Sequence, residues 1–328
     1  MLIDRFGRPI TYLRISVTDR CNLRCVYCMP AEGIPLQSHE NILRYEEIVQ
    51  LVRVAAAHGI REVRLTGGEP LVRLDLPVLV HMIAQIPGIE DISLTTNGLL
   101  LEKMAQPLAK AGLKRVNVSL DTLDPAKFAR ITRGGSLEKV LNGIRAAERV
   151  GLTPIKINVV AMRGVNDDEL MQMAKLTLQF PWHVRFIEMM PIQNQTSWGD
   201  HFPAPEEAYI SVYEMREILA PLNLQPVNKK VGNGPAREYR IPAAKGIVGF
   251  ISPIGEHFCQ SCNRLRLTAD GHLRPCLLSD IEIPVLQALR AGEELLPLLE
   301  QAISVKPEGH ELALSHSPMS RCMCQIGG

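Results

Sequence analysis

The chain has 328 residues, 46% of them hydrophobic and 22% charged, with a formal net charge of +1. These values suit one large α/β domain or two ordinary ones with a sizeable core, and they exclude wholesale disorder. A near-neutral balance argues against a surface coated for nucleic acid or membrane, so an anionic ligand must be met by basic residues gathered locally.

In chain order, the opening run M-L-I-D-R-F-G-R lacks the apolar core of a secretion signal, and no uncharged stretch approaches the roughly 18 residues of a membrane span. A cytoplasmic protein is expected. The first predicted strand covers 11–17. Directly after it, C-N-L-R-C-V-Y-C sets Cys21, Cys25 and Cys28 in a C-x3-C-x2-C spacing. Three thiolates can hold three irons of a cubane cluster and leave the fourth open to a small molecule. A structural zinc site and a disulfide framework are plainer readings. Zinc motifs usually combine two C-x2-C elements, however, and here only Cys25 and Cys28 form one.

Further strands are predicted at 62–66, 91–95, 115–120, 155–160 and 183–189, each rich in Val, Ile or Leu. Helical patterns at 45–58, 76–85, 102–111, 137–150 and 167–179 separate them. Strand–helix units in this succession predict a parallel sheet with right-handed crossovers: an α/β fold, an incomplete (βα)6 TIM-type barrel, with a flat doubly wound sheet as its rival. Read with period two, one face of successive strands carries Arg14, Ser16 and Thr18, then Arg64 and Thr66, then Ser93, Thr95 and Asn97. Asn117, Ser119 and Asp121 follow, then Lys156 and Asn158. Crossover helices should cover the outer face, so a polar lumen around a charged ligand fits this pattern better than a solvated surface. At the end of the second strand, R-L-T-G-G-E-P-L allows close backbone approach at its glycines, and Pro70 holds Glu69 extended.

Pro, Gly and Asn density marks 191–235 as a connecting segment, with one helical pattern at 212–219. Short strands are predicted near 237–241, 247–251 and 264–268, then a helix near 293–302. Cys259 and Cys262 form a C-x2-C pair with Cys276 fourteen residues on. Zinc, completed by His257 or His272, and a second iron–sulfur cluster both suit that spacing. Arg264 and Arg266 share one strand face beside it, and a guanidinium fork suits phosphate or a purine edge. The chain ends Q-I-G-G, either a frayed terminus or a tail able to thread a narrow channel. Eight cysteines grouped at 21/25/28, 259/262/276 and 322/324 look like metal ligands in a reducing compartment.

The C-x3-C-x-aromatic-C and G-G-E-P motifs resemble the radical SAM superfamily. D-R-C-N-L-R-C-V-Y-C-M-P, L-T-T-N-G, V-N-V-S-L-D-T-L, R-F-I-E-M-M-P, F-C-x2-C-N-R-L-R-L-T and the terminal Gly-Gly resemble, within it, the GTP 3′,8-cyclase family of molybdenum cofactor biosynthesis, over essentially the whole chain. The resemblance implies two 4Fe–4S clusters, one on Cys21, Cys25 and Cys28 that binds S-adenosylmethionine, and one on Cys259, Cys262 and Cys276 whose open iron takes GTP. It implies that Tyr27, Gly68, Ser119 and Met190 border S-adenosylmethionine, and that Arg14, Arg64, Thr95, Lys156, Arg264, Leu265 and Arg266 border GTP. Gly327 and Gly328 are implied to insert toward the active site. Residues 1–190 would form the partial barrel, 191–235 the connection, and 236–328 a C-terminal extension with the second cluster and the tail. A flavodoxin- or ferredoxin-like electron donor, a downstream cyclic pyranopterin monophosphate synthase and a homodimer are implied, with no nucleic acid and no membrane. A peptide-modifying two-cluster maturase is the nearest rival, and an iron–sulfur electron carrier the rival of another class. The chain departs from the family pattern at Cys322 and Cys324, and in P-I-Q-N-Q-T-S-W after Met190.

Overall fold

The computed structural model describes residues 1–190, 198–227, 234–310 and 321–327. Strands β1 (Tyr12–Ser16), β2 (Glu62–Thr66), β3 (Asp91–Thr96), β4 (Arg115–Ser119), β5 (Lys156–Ala161) and β6 (His183–Glu188) pair side by side in chain order, all parallel. Between them run α1 (Tyr45–Ala57), α2 (Leu76–Ala84), α3 (Leu101–Ala111), α4 (Pro125–Thr132), α5 (Leu137–Arg149) and α6 (Leu170–Gln179). Every predicted strand and helix of this half is present. The predicted helix start at 167 is instead a 3-10 turn, Asp167–Glu169, that leads into α6. Helix α4 has no counterpart among the predicted elements. It is begun by Pro125 at its first turn and by Asp124, whose carboxylate accepts from the Lys127 amide at 2.7 Å.

Alternation divides each strand cleanly. Leu13, Ile15, Val63, Leu65, Leu94, Val116, Val118, Ile157 and Val159 are fully buried in one apolar core with the inner faces of the helices. Helix α1 supplies Ile48, Leu51, Val52 and Ala55 to that core, a spacing that keeps them on one stripe. Each Leu or Ile fully buried this way contributes roughly 1.5–3 kcal/mol. The opposite, polar face of the strands is left to line the interior.

The C-terminal third adds to both ends of this sheet. After α7 (Val212–Leu219) come β7 (Gln225–Pro226), β8 (Arg237–Arg240), β9 (Ile247–Ile251), β10 (Arg264–Leu267), β11 (His272–Arg274) and β12 (Ile283–Pro284), then α8 (Leu286–Ala291), α9 (Leu296–Ser304) and α10 (Met323–Ile326). Strand β9 lies parallel on β6 and β10 parallel on β1, so the parallel run grows from six strands to eight. Antiparallel β8 and β7 extend one end, and β11 and β12 the other. The register places Arg14 between Arg64 and Arg266, and Asn158 between Ser119 and Arg185. Among the described residues no helix is long and apolar enough to cross a membrane.

Candidate active site

Two cavities occupy the polar interior, of about 1040 and 850 Å³ counting their open mouths. Each is large enough for a nucleotide-sized ligand. They meet at Asn158, Ile187 and Met190, which line both.

The larger cavity is walled by Cys21, Cys25 and Cys28, with Tyr27, Gly67, Gly68, Thr95, Asn97, Ser119 and Asp121 around it. The three thiols come from the loop after β1, which is braced at several points. The Leu23 amide donates to the Cys21 sulfur at 3.4 Å, and the Val26 amide to the Ile131 carbonyl at 3.0 Å. Tyr27 donates its hydroxyl to Asp121 at 2.8 Å. Burial pushes Asp121 up to about 6 and also raises the Tyr27 phenol, which the neighbouring Asp121 charge raises further. Gly68 packs against the same loop. A Cβ there would sit 2.4 Å from the Arg20 carbonyl oxygen, so no side chain fits. Glu69 is extended, as its place before Pro70 requires. It is fully engaged: its carboxylate accepts from Thr96 Oγ1, the Asn97 amide and the Leu71 amide, tying the β2 loop to β3. Burial lifts it to about 7 despite those bonds.

The second cavity is cationic. Arg14, Arg64, Arg115, Lys156, Arg185, Arg264 and Arg266 line it, against the carboxylate of Glu62 alone among the described residues. Like charges packed this closely oppose one another. Burial, then Arg266, Arg64 and Arg264, hold Arg14 well below its ordinary value. Burial, then Arg185, Arg115 and Arg64, bring Lys156 down to about 7. Arg185 falls to about 9 and Arg266 to about 10, both mainly through burial. A polyanion is the ligand that relieves such a set. Several buried polar atoms of cavity-lining residues have no hydrogen-bond partner among the described residues, among them Thr95 Oγ1, Asn158 Oδ1 and Arg185 Nε.

Beside the basic cavity stand Cys259, Cys262 and Cys276, close enough to influence one another's ionisation. The Leu278 amide donates to the Cys276 sulfur at 3.4 Å, as Leu23 does to Cys21. Burial pushes Cys262 up, but Lys306 and Arg264 outweigh it and leave the thiol more acidic than usual. The buried Lys306 also donates to the carbonyls of Arg264 and Pro275, at 2.8 and 2.5 Å. Thiols gathered in threes, with a backbone N–H on one sulfur of each set, suit iron–sulfur ligation.

The tail enters this interior. Arg321 is ion-paired with Asp270 and Glu282, and α10 buries Cys324 and Ile326. The Gly327 carbonyl accepts from Arg266 at 2.7 Å and Arg14 at 3.2 Å. The tail is therefore seated as far as Gly327. Gly328 lies outside the described residues, as do 191–197 of the unusual loop after Met190.

The structure brings most of the expected residues together. Tyr27, Gly68 and Ser119 line the cysteine cavity, Arg14, Arg64, Lys156, Arg264 and Arg266 the basic one, and Met190 both. Thr95 lies on the cysteine side. The Leu265 side chain points away into the apolar core. Tyr12, Arg115 and Arg185 also line the basic cavity and were not singled out. The alternation that marked Asn117 and Lys156 marks them too, since Arg115 and Asn117 share one strand face and Arg185 pairs with Asn158.

Residues 15–177 match the model of the radical SAM superfamily, and 182–312 that of molybdenum cofactor synthesis C. The chain is 51% identical over 329 residues to a GTP 3′,8-cyclase of Moorella thermoacetica, covering 99% of both chains. It is 52% identical over 331 residues to one of Pelotomaculum thermopropionicum, again covering 99% of each. Among solved structures, Streptococcus suis SuiB bound to S-adenosylmethionine superposes with a TM-score of 0.63 at 14% identity, covering 90% of this chain and 68% of that one. Native anSMEcpe with bound AdoMet gives 0.53 at 16% identity, covering 88% and 80%. These two likenesses concern the fold alone.

Proposed function

The chain belongs to the GTP 3′,8-cyclase family of the radical SAM superfamily, and on that premise we propose that it converts GTP to 3′,8-cyclo-7,8-dihydro-GTP, the first step of molybdenum cofactor biosynthesis. One observation carries the reading: a thiol-lined cavity opens into a cation-lined one at Asn158, Ile187 and Met190. A reagent generated among the cysteines thus meets a polyphosphate held by the arginines.

The residues present suit two 4Fe–4S clusters, on Cys21, Cys25 and Cys28 and on Cys259, Cys262 and Cys276. When bound, the first cluster and S-adenosylmethionine supply one-electron reduction and hydrogen-atom abstraction, which no side chain here can provide. The chain's own work is placement. Tyr27, Gly68, Ser119, Met190 and Thr95 border the S-adenosylmethionine side. Arg14, Arg64, Lys156, Arg264 and Arg266 grip the nucleotide, and Arg115 and Arg185 add to that grip. Fixed orientation of the reacting atoms can supply roughly 7–11 kcal/mol of the barrier. In this reading residues 1–190 serve as the partial barrel, 191–235 as the connection, and 236–328 as the region of the second cluster and the tail. A flavodoxin- or ferredoxin-like donor, a downstream cyclic pyranopterin monophosphate synthase, a homodimer and a cytoplasmic setting belong to the same reading.

The test is anaerobic incubation of reconstituted enzyme with GTP, S-adenosylmethionine and a low-potential reductant. About eight irons per chain are expected from two four-iron clusters, with 5′-deoxyadenosine and the cyclised nucleotide as products. 5′-Deoxyadenosine formed without any cyclised GTP would favour a maturase; none at all would favour an electron carrier.

A second expectation follows from Lys156: burial, then Arg185, Arg115 and Arg64, opposed by Glu238, lower its ammonium to about 7. A bound triphosphate raises it again. GTP binding above pH 7 therefore takes up a proton, and this contribution to affinity falls as pH rises from the free value toward the bound one, by up to about tenfold per unit. Calorimetry in buffers of different ionisation enthalpy should register that uptake in the wild type and lose it in Lys156→Met.

A further inference from the structure

Cys322 and Cys324 have so far no part in the chemistry, yet their placement is specific. Cys324 is 2% exposed and lines the same cavity as Cys21, Cys25 and Cys28. Its thiol is in hydrogen-bond contact with Cys28, and that of Cys322 with Cys324. The segment is held on both sides of it. Upstream, Arg321 donates to Asp270 and to Glu282, each at 2.8 Å. Downstream, Arg266 and Arg14 clasp the Gly327 carbonyl. A doubly anchored tail thus delivers a fourth thiol to a cavity that already holds three.

A cubane with four thiolates is fully ligated, whereas three leave one iron without a protein ligand. We propose that Cys324 is an exchangeable fourth ligand of the N-terminal cluster, capping its open iron until S-adenosylmethionine displaces it. This rests on the reading that Cys21, Cys25 and Cys28 hold a 4Fe–4S cluster. The exchange moves no electrons. The iron–sulfur bond to Cys324 breaks, and bonds form from that iron to the amino nitrogen and carboxylate of S-adenosylmethionine. The incoming ammonium sheds one proton and the departing thiolate takes one up, so the step is proton-neutral. Cys322 is positioned to hydrogen-bond the free thiol but does not itself line the cavity.

An iron lacking a protein ligand is the one a cubane loses on mild oxidation, leaving a three-iron cluster with a distinct paramagnetic signal. The full-length, two-cluster enzyme is therefore oxidised briefly with ferricyanide in the absence of S-adenosylmethionine, and three-iron clusters are counted by low-temperature EPR. The wild type should give about one per chain, from the C-terminal cluster, and Cys324→Ala about two. Cys324→Ser, which keeps the side-chain size, separates loss of the ligand from loss of packing and should follow Cys324→Ala. Cys322→Ala should follow the wild type. Equilibrium dialysis should show S-adenosylmethionine bound severalfold more tightly by Cys324→Ala, because its competitor is gone. Equal three-iron signals and equal affinities in wild type and Cys324→Ala would overturn the cap while leaving the cluster intact. Iron missing from the N-terminal cysteines in the wild type would instead overturn the reading beneath it.

Discussion

Removal of Gly327 and Gly328 is expected to leave the fold, both clusters and GTP affinity nearly intact, and to lower cyclised product by a factor on the order of 10² or more. Gly327 has φ +69, a conformation that side chains rarely adopt. A Cβ placed on it would lie 2.6 Å from Thr66 Cγ2, in the wall of the cysteine cavity. Its carbonyl is the acceptor that Arg14 and Arg266 share, so Gly327 ties the basic cavity to the cysteine side. Without it the two guanidinium groups lose a fixed point between the reacting partners. Gly327→Val should reproduce much of the defect, since the side chain has no space and the backbone is strained. Chromatography gives the decisive ratio: 5′-deoxyadenosine should still form, uncoupled from cyclised GTP. Wild-type coupling in the truncated enzyme would reduce the tail to a packed terminus without catalytic consequence.

Arg14→Leu should make the ligand-free protein more stable and a poorer binder at once. Arg14 faces Arg64 and Arg266 in direct register from the strands on either side. Burial and these neighbours depress its ionisation, which means the charged form is held at a cost in the empty cavity. Leucine removes that cost and retains volume, and Arg266 still holds Gly327. The melting temperature of the ligand-free variant should rise by a few degrees, on the order of 2–4 °C per kcal/mol relieved. GTP affinity should fall roughly ten- to hundred-fold, as loss of a charge-assisted phosphate contact implies. S-Adenosylmethionine affinity should change little. Thermal scans beside titrations with both ligands test all three, and a lower melting temperature would show that Arg14 stabilises the empty fold.

The barrel core was legible because its strands are β-branched runs punctuated by helices of clear period. Leu13 and Ile15 against Arg14 and Ser16 illustrate how sharply the two faces are written. Of the additions at both sheet ends, β8, β9 and β10 were legible as strands, but the shortest strands and the pairing partners were not. β7 and β12 are two residues long and β11 three, too short for any period to register. That β10 pairs with β1 is a contact between Tyr12 and Arg264, far beyond the reach of a local pattern. For the site, parity told which side chains face inward but not how deep along the barrel each lies. Thr95 therefore sits with the thiols although it shares a strand face with Ser93, which bonds Arg64. Leu265 has the wrong parity for the interior, a point the alternation of Arg264 and Arg266 already contained. Cys324 could not be assigned from sequence, since nothing local says that a terminal helical turn returns to the N-terminal loop.

The pairing of β10 with β1 also sets an order of events during synthesis. The outer edge of β1 receives its partner only when a segment about 250 residues further along has been made. At roughly 5–20 residues per second that is an interval of some 12–50 s. Throughout it, an apolar parallel strand presents unpaired backbone groups that can template association with another nascent chain. The cysteines of the N-terminal loop exist from the start of the same interval, whereas the second set and the tail complete the enclosure last. The nascent chain therefore passes through an open-edged stage in which its first metal site is built but uncovered, and its yield should depend on chaperones and on iron–sulfur supply acting before the C-terminus arrives.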